Sequence, residues 1–348
     1  MKPLRCDHLV VGAGSTGLAV ADHLLRREAG SVILIDALDS PQAGPTGERI
    51  PLLAPQGDAW SPIVHRAREL YEGWNDWIEV DPELRRCGAL VPVPTTSSTM
   101  PSSTVLEAPD SSRRWSSLQE AGPRCHHQPE AATVDPVTVA SALLWRIRKV
   151  GGHFLPRSVL TAMDEKTDGV DFCAGIRTGT AGRIYICTGI DSLRWLDRLR
   201  LRHRYQAETV SSFTVALDDE LPPIIYWQEE RAMLFERGDG YHEVLLISDS
   251  HGVDADPPSV DWDRYAAFRD VWRQWIPLLE DSQTLKAKAS SQVSKIDHPE
   301  QLVSAGGRII FPGACGEFSQ LLFPALAEMS VEGQLAGDVG GLLEDPSR

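Results

Sequence analysis

The sequence predicts an α/β fold with a second, α+β domain. Near its start, His8 to Val11 is predicted to form a short buried strand, and Leu18 to Arg27 carries apolar residues at helical spacing. A glycine-rich turn, Gly12 to Gly17, joins them, and a second apolar run, Ser31 to Ile35, supplies the next strand. This order of strand, turn, helix and strand is typical of the beginning of a parallel sheet.

The glycine turn has the Gly-x-Gly-x-x-Gly spacing of Rossmann-type dinucleotide-binding units. Gly12 suits the tight turn, Gly14 lets the backbone approach a pyrophosphate, and Gly17 lets the helix lie close to the sheet. The pyrophosphate would bind the free N–H groups at the positive end of the helix dipole. A glycine turn in an ordinary βαβ unit, without a nucleotide, is the alternative.

Asp36 strengthens the nucleotide interpretation. It ends the second strand about 20 residues downstream, where such units place the carboxylate that binds a ribose. A carboxylate there would repel a 2′-phosphate, which argues against NADP. The predicted ADP-binding residues are Gly12, Ala13, Gly14, Ser15, Thr16, Gly17, Asp36 and Ala37.

The composition favours a two-domain protein without nucleic-acid or membrane partners. The chain has 348 residues, 42% of them hydrophobic, and a formal net charge of -15, which repels phosphate backbones and anionic lipids. No run reaches the roughly 18 apolar residues of a membrane span, and no targeting signal is recognisable, so we expect a cytoplasmic protein. The scattered cysteines contain no C-x-x-C pair, so we expect reduced thiols and no metal site.

The rest of the chain alternates between α/β and mostly-β segments. Val91 to Arg124 is rich in proline and serine and is predicted to be a long surface excursion, either a lid or a plain loop. Asp135 and Pro136 are predicted to start a helix, and His126 and His127 to lie in a solvated loop. We expect a discontinuous cofactor domain of residues 1–84, 130–206 and 286–348, with residues 85–129 and 207–285 forming the substrate domain.

Six blocks follow one another along nearly the whole chain. They are the Gly12–Gly17 turn with Asp36, Gly47-Glu48-Arg49-Ile50, His65–Leu70, Val134-Asp135-Pro136, Ile184–Gly189 and Gly313–Gly316. In order and spacing they resemble the D-amino-acid oxidase-like superfamily of flavoproteins, nearest to its monomeric sarcosine oxidase and glycine oxidase branch. The resemblance implies a Rossmann-type FAD-binding domain with an inserted, mostly antiparallel β substrate domain, and it favours FAD over NAD.

The resemblance also implies roles for single residues. Arg49 would lie against the isoalloxazine, although a surface salt bridge is an even alternative. Val159 would contact the adenine side through its backbone. The turn Gly313 to Gly316 would direct a helix N-terminus at the pyrimidine edge of the flavin, where negative charge accumulates on reduction. Further implied flavin contacts are Thr188, Gly189, Gly313, Ala314, Gly316, Glu317, Phe318, Ser319 and Gln320.

Three departures from that branch bear on function. Ala289 falls where the branch has the cysteine that binds FAD covalently, so we expect dissociable FAD. Cys315, in the glycine turn, is expected to be a buried thiol. Ile247 falls at the lysine that assists O₂, and Gln320 falls at the lysine that holds a substrate carboxylate. The last loss weakens a simple amino-acid oxidase, because a buried carboxylate without a cation is costly.

Three functions remain open from the sequence. The first is an oxidase of a small amine or amino-acid derivative that passes hydride to the flavin and uses O₂. The second is a flavin-dependent oxygenase or ring-modifying enzyme for an aromatic, indole-like substrate, and the third is a non-enzymatic FAD-binding module. His251 is the candidate acid or base, with Arg49 and Gln320 as further catalytic candidates. The candidate substrate-binding residues, which could equally be core, are Tyr226, Trp227, Tyr241 and His242. The oligomeric state cannot be read from the sequence.

Overall fold

The computed structural model contains two large sheets, one small sheet and helices around them. The residues that it describes are 2–41, 49–54, 60–93, 104–120, 122–217, 221–238, 240–249, 258–294 and 300–335.

The strands, in chain order, are β1 Leu4–Val11, β2 Val32–Ile35, β3 Ile50–Leu52, β4 Arg85–Arg86, β5 Ala89–Pro92, β6 Thr104–Leu106, β7 Cys125–Gln128, β8 Ala132–Val134, β9 His153–Leu155, β10 Leu160–Glu165, β11 Val170–Ala174, β12 Arg177–Ile186, β13 Gln206–Ala216, β14 Ile224–Trp227, β15 Ala232–Gly238, β16 Tyr241–Asp249, β17 Gln283–Ser294, β18 Leu302–Val303 and β19 Ile309–Phe311.

The helices are α1 Ser15–Arg26, α2 Ser61–Glu72, α3 Trp74–Ile78, α4 Ala108–Arg114, α5 Pro136–Lys149, α6 Asp191–Arg198, α7 Trp262–Trp272, α8 Leu278–Asp281 and α9 Ser319–Leu335. Asp135 caps α5 as predicted, because its carboxylate accepts the Val137 N–H at 2.8 Å. Among the helices of the described ranges, none is both long and apolar enough to cross a membrane.

The first sheet confirms the predicted Rossmann-type beginning. Its central strands run β9, β2, β1, β12 and β19, all parallel, with β10 and β11 added antiparallel beside β12. Every residue of β2 is buried, as expected for a parallel strand covered on both faces. Helices α1, α5 and α9 cover one face, where Leu18, Leu143 and Phe323 join the same core as Val10 and Leu34.

The second sheet confirms the predicted, mostly antiparallel second domain. Its order is β17-β13-β16-β15-β14-β5-β7-β6, and the pair β14–β5 is parallel. Alternate side chains point to opposite faces of a strand. Phe213 and Val244 therefore pack with α7, whereas Val210 and Leu245 face the first domain.

Two of the predicted domain boundaries do not coincide with the sheets. The boundary at residue 286 falls inside β17, which pairs with β13 along its length, for example Ser212 with Lys288. Residues 286–294 therefore belong to the second sheet. The boundary at residue 85 falls on β4, which pairs with β8 in the small sheet formed by β3, β8 and β4. β17 is a polar edge strand, so it lacks the apolar alternation by which strands are recognised in a sequence.

The segment before β7 also differs from expectation. Part of the predicted surface excursion forms β6 and α4, and β6 pairs with β7. His126 and His127 are not in a solvated loop, because both lie buried in β7. Strand alternation places them on opposite faces of the sheet. Within the ranges that the structure covers, no group of three or more acidic, histidine or cysteine side chains could hold a metal ion.

A buried charge network joins α1 to its neighbouring helices. Asp22 is fully buried and pairs with Arg146 of α5 at 2.6 Å and with Arg26 at 3.2 Å. His23, also fully buried, accepts hydrogen bonds at Nδ1 from Arg26 and from Arg27, at 2.6 and 3.1 Å. Glu328 of α9 faces this cluster. Burial, with the two guanidiniums, lowers the pKa of His23 to about 3, so the imidazole is neutral in the folded protein.

We predict that His23 makes the protein sensitive to acid. A histidine whose pKa is depressed by folding stabilises the protein above its unfolded pKa, about 6.5, and this contribution is lost as the pH falls. Between pH 7 and pH 5 the loss from His23 is about 2 kcal/mol. Urea unfolding of a His23→Gln variant at the two pH values should show a smaller loss than the wild type. The exposed His65 gives the control His65→Gln, which should keep the full loss. An equal loss in all three proteins would contradict the prediction.

Candidate active site

A single cavity of about 760 Å³ extends from the first sheet to the second. At one end it is bordered by the β1–α1 turn, by Asp36 to Leu38 and by Cys187 to Asp191. At the other end it reaches Val210 and Leu245 on the second sheet. The first end lies outside the carboxyl ends of β1, β2 and β12, where open α/β sheets bind their ligands.

The three glycines of the first turn each meet a different steric demand. Gly12 has a φ of +102°, and a Cβ there would lie 2.3 Å from the carbonyl oxygen of Cys187. A Cβ on Gly17 would lie 1.8 Å from the carbonyl oxygen of Gly12, so α1 could not pack so closely. A Cβ on Gly14 would meet nothing within 4 Å, because this residue borders the cavity. Gly12 and Gly17 therefore occupy positions that a side chain could not, and the approach of Gly14 to a pyrophosphate stays a prediction.

The start of α1 is open to an anion. Gly14 is the N-cap and supplies no side-chain cap, so the first amide groups of the helix have no side-chain partner at that position. Ser15 and Thr16 border the cavity in the same turn. An unsatisfied helix N-terminus at a cavity wall is suited to a phosphate or pyrophosphate.

Asp36 is held at the cavity edge by backbone groups. Its Oδ2 accepts the Ala13 N–H at 2.5 Å, and its Oδ1 accepts the Leu38 N–H at 2.7 Å. Each carboxylate oxygen keeps a further lone pair for a ligand hydroxyl. Ala37 and the exposed Val159 border the cavity nearby, which is the arrangement expected for a ribose and an adenine.

We predict opposite outcomes for alanine at two of these glycines. Gly17→Ala should lower the free energy of unfolding by about 2–3 kcal/mol, because the new Cβ collides with backbone. Gly14→Ala should change it by less than about 1 kcal/mol, but should weaken FAD binding at least tenfold. Urea unfolding and FAD titration of flavin-depleted protein measure the two effects. Unchanged FAD affinity in Gly14→Ala would show that no phosphate lies at this turn.

The second glycine turn closes the cavity from the side of α9. Gly313 and Gly316 have φ values of +104° and +52°, and a 3₁₀ turn, Gly316–Phe318, leads into α9. The side-chain amide of Gln320 contacts Ser15 Oγ at 3.4 Å. The backbone carbonyl oxygen of Gln320 accepts the Tyr71 hydroxyl at 2.6 Å. Gln320 therefore lies beside the N-terminus of α1, not beside the second sheet. The other predicted flavin contacts that border the cavity are Thr188, Gly189, Gly313, Ala314, Gly316, Glu317 and Ser319. Phe318 packs between Trp60 and Tyr226.

Arg49 does not border the cavity. Its guanidinium donates to the Glu83 carbonyl oxygen at 2.6 Å and to Thr133 Oγ1 at 3.2 Å, and it pairs with the Glu83 carboxylate at 3.2 Å. This is the ion-pair alternative that the sequence left open. In this arrangement the guanidinium is bound to Glu83 and Thr133, and the contact of Arg49 with the flavin stays a prediction. Gly47, Glu48 and His251 lie outside the described residues.

The four candidate substrate aromatics are not brought together. Tyr226 faces the first domain and packs edge-on against Phe318. Trp227 points to the opposite face and packs against Phe268 and Trp272 of α7, so it belongs to the core. His242 is buried on that same α7 face, as strand alternation requires, and burial lowers its pKa to about 4. Tyr241 is exposed at the start of β16. None of the four borders the cavity, although the Tyr226 hydroxyl contacts Glu317, which does.

Sequence reasoning missed the residues that form the far end of the cavity. Val210, Met233, Leu245 and Ile247 form an apolar floor on the second sheet. They are neighbours through the pairs Val210 with Ile247 and Met233 with Leu245. Alternation within β13 and β16 carried this signal, but it does not tell which face of a two-sided sheet meets a cavity.

A group of charges, Glu208, Arg231 and Glu317, adjoins this floor and was also missed; we call it the Glu–Arg–Glu group. Its two glutamate side chains are buried, whereas the Arg231 side chain is half-buried. Arg231 Nη2 lies 2.7 Å from Glu208 Oε1 and 3.3 Å from Glu317 Oε2. Gln292 donates to Glu208 Oε2 at 3.0 Å, and the Tyr226 hydroxyl donates to Glu317 Oε1 at 3.4 Å. Burial raises the pKa of Glu317, against the opposing effect of Arg231.

The cysteines offer little support for a covalent flavin. Cys187 is the one cysteine of the described ranges that borders the cavity, and burial raises the pKa of its thiol. Burial likewise raises the pKa of Cys315, which packs in the core of the first domain as expected. A raised pKa disfavours the reactive thiolate.

The fold and the cavity define a dinucleotide-binding protein of two domains, with a Rossmann-type first domain and a β substrate domain. A comparison with family models matches residues 7–297 to the family described as FAD dependent oxidoreductase, DAO. This match covers most of the chain, so the protein belongs to the DAO family of FAD-dependent oxidoreductases.

Solved structures share the whole fold at low sequence identity. Glycine oxidase from Geobacillus kaustophilus is 14% identical, with a TM-score of 0.80, covering 97% of this chain and 96% of that one. NikD, an unusual amino acid oxidase essential for nikkomycin biosynthesis, is 16% identical, with a TM-score of 0.80, covering 98% and 99%. L-proline dehydrogenase from P. horikoshii is 12% identical, with a TM-score of 0.79, covering 97% and 96%. A search of the curated proteins found no match.

Proposed function

We propose that this protein oxidises a small amine or amino-acid derivative with FAD held non-covalently in the cavity. The observation that carries the proposal is the continuity of one cavity from the Gly12–Gly17 turn to the apolar floor of the second sheet. The ADP half of FAD would bind at the N-terminus of α1 and at Asp36. The isoalloxazine would then lie at the second glycine turn, and the apolar floor beyond it would face the substrate.

Bound FAD supplies the redox chemistry, since it accepts a hydride from a C–H bond next to nitrogen and later passes two electrons and two protons to O₂, giving hydrogen peroxide. Loss of the hydride from carbon leaves an iminium, which loses one N–H proton and becomes an imine. The chain binds and orients the substrate, and the apolar floor excludes water from the reacting carbon. The N-terminus of α9 would favour the negative charge that the ring gains on reduction.

A flavin-dependent oxygenase acting on an aromatic substrate is the second candidate. The floor favours it, because it offers an apolar wall to a flat ligand. Its support is weaker than the sequence suggested, since Trp227 and His242 point away from the cavity. Incorporation of labelled oxygen from O₂ into the product would favour this candidate over the oxidase.

We predict that the purified protein carries FAD that acid precipitation releases into the supernatant. Anaerobic addition of a panel of primary amines, N-methyl amines and amino acids should bleach the flavin absorption with at least one compound. Admission of O₂ should restore it and yield about one peroxide per flavin reduced. A yellow pellet would show covalent attachment. Tightly bound FAD that no member of the panel reduces would contradict the proposed oxidation.

A further inference from the structure

We propose that the second-sheet end of the cavity selects an amine without a carboxylate, with Glu317 accepting the N–H groups of the amine and the apolar floor holding its hydrocarbon body. This inference rests on the proposed function and names its substrate class. The selected substrates would be arylalkyl- or alkylamines. Amino acids, which carry both an amino group and a carboxylate, would be disfavoured.

The floor favours a hydrocarbon ligand. Val210, Met233, Leu245 and Ile247 are each buried, and they present contiguous apolar side chains from β13, β15 and β16. Each methylene group that moves from water onto such a surface adds to the affinity of the ligand. A substrate with an aromatic or branched body therefore gains affinity here without any polar contact.

The polar residues at this end are unsuited to a carboxylate. In the part of the chain that the structure describes, the cationic side chains bordering the cavity are Arg194 and Arg198. Both belong to α6, beside Asp191 and Thr188, at the nucleotide end. At the sheet end the polar wall consists of Ser290, Ser291, Gln292 and Glu317. A buried carboxylate without a cationic partner is strongly disfavoured, so an amino acid would lose affinity through this group.

The Glu–Arg–Glu group favours a cation or an N–H donor over a carboxylate. Two buried carboxylates share the Arg231 guanidinium, so the three members of the group carry a net charge of -1 when both glutamates are ionised. The exposed Asp249, 3.6 Å from Arg231, is a third carboxylate near the same guanidinium. The side chains of Glu208 and Glu317 are only 1% and 8% exposed. A cation or an N–H donor from the cavity would compensate this charge. An additional anion would be repelled by it.

Glu317 is the member of the group that a ligand can reach. Both oxygens of Glu208 have close partners, Arg231 at 2.7 Å and Gln292 at 3.0 Å, and Glu208 does not border the cavity. Glu317 borders the cavity, and its contacts with Arg231 and Tyr226 are longer, at 3.3 and 3.4 Å. Its oxygens therefore retain lone pairs for a ligand donor.

Glu317 would also deliver the amine in the form that can be oxidised. An ammonium that enters the cavity loses its hydration, which favours transfer of one proton to the carboxylate. The N–H bond breaks, an O–H bond forms on Glu317, and the neutral amine keeps its lone pair. Burial raises the pKa of Glu317. This brings the pKa of the carboxylic acid closer to that of the ammonium, which eases the transfer.

The inference is tested with matched probes on the FAD-loaded protein. One pair is 2-phenylethylamine and phenylalanine, in both enantiomers; the other is benzylamine and phenylglycine. Titration of the flavin spectrum gives a Kd for each probe, independently of turnover. We expect each amine to bind at least tenfold more tightly than its carboxylated partner. This comparison on the wild-type protein does not depend on the folding of any variant.

Variants assign the selectivity to Glu317. Glu317→Gln should weaken binding of 2-phenylethylamine at least tenfold and leave the Kd of phenylalanine unchanged or lower. Glu332→Gln is the matched control, because Glu332 lies on α9, the helix that follows the 3₁₀ turn of Glu317, and pairs with Arg27 away from the cavity. It should bind both probes like the wild type.

The outcomes separate this inference from the proposed function. An amino acid that binds as tightly as its amine, and reduces the flavin, would overturn the selectivity while the oxidase remains. Equal binding of 2-phenylethylamine to the wild type and a folded Glu317→Gln would overturn the role of Glu317. If FAD is bound and no amine or amino acid perturbs or reduces it, both proposals fail.

Discussion

The close contact between the first glycine turn and the end of β12 is the constraint on which the site depends. Gly12 fits under the carbonyl of Cys187, and Gly17 lies against Gly12, so α1 begins directly at the edge of the parallel sheet. This contact places the helix N-terminus at the carboxyl ends of the strands. Asp36 then binds the Ala13 amide and fixes the turn from the other side. The nucleotide end of the cavity is therefore shaped mainly by backbone geometry.

The sequence was sufficient for features that depend on local geometry. The strand, turn and helix at the start, the cap at Asp135 and the second glycine turn each follow from the conformational limits of one or two residues. The inserted β domain followed from the order of the blocks. The edge strand β17 was not predicted, because a polar strand that is half exposed shows no hydrophobic period. Its pairing with β13 joins segments that are far apart in the sequence.

Side-chain direction was the feature that the sequence could not fix. Tyr226 and Trp227 are neighbours, yet one packs on the sheet face towards the first domain and the other in the α7 core, because a strand presents its residues alternately to two buried faces. Arg49 shows the same limit. Its position beside Ile50 matches the family pattern, but Glu83 and Thr133 attract the guanidinium away from the cavity. In both cases, residues distant in sequence form the surroundings into which the side chain points.

Two buried charge networks in this protein differ in a way that locates function. On the helical side, Glu328 is met by Arg27 and Arg66, and Asp22 by Arg26 and Arg146, so each of these two buried carboxylates has two cations and the network serves packing. In the Glu–Arg–Glu group the ratio is reversed, with two carboxylates for one guanidinium. Excess charge of this kind is costly in a sealed core. It is tolerable beside a cavity, where water or a donor ligand can complete it, and this position is the reason for assigning Glu317 to the substrate.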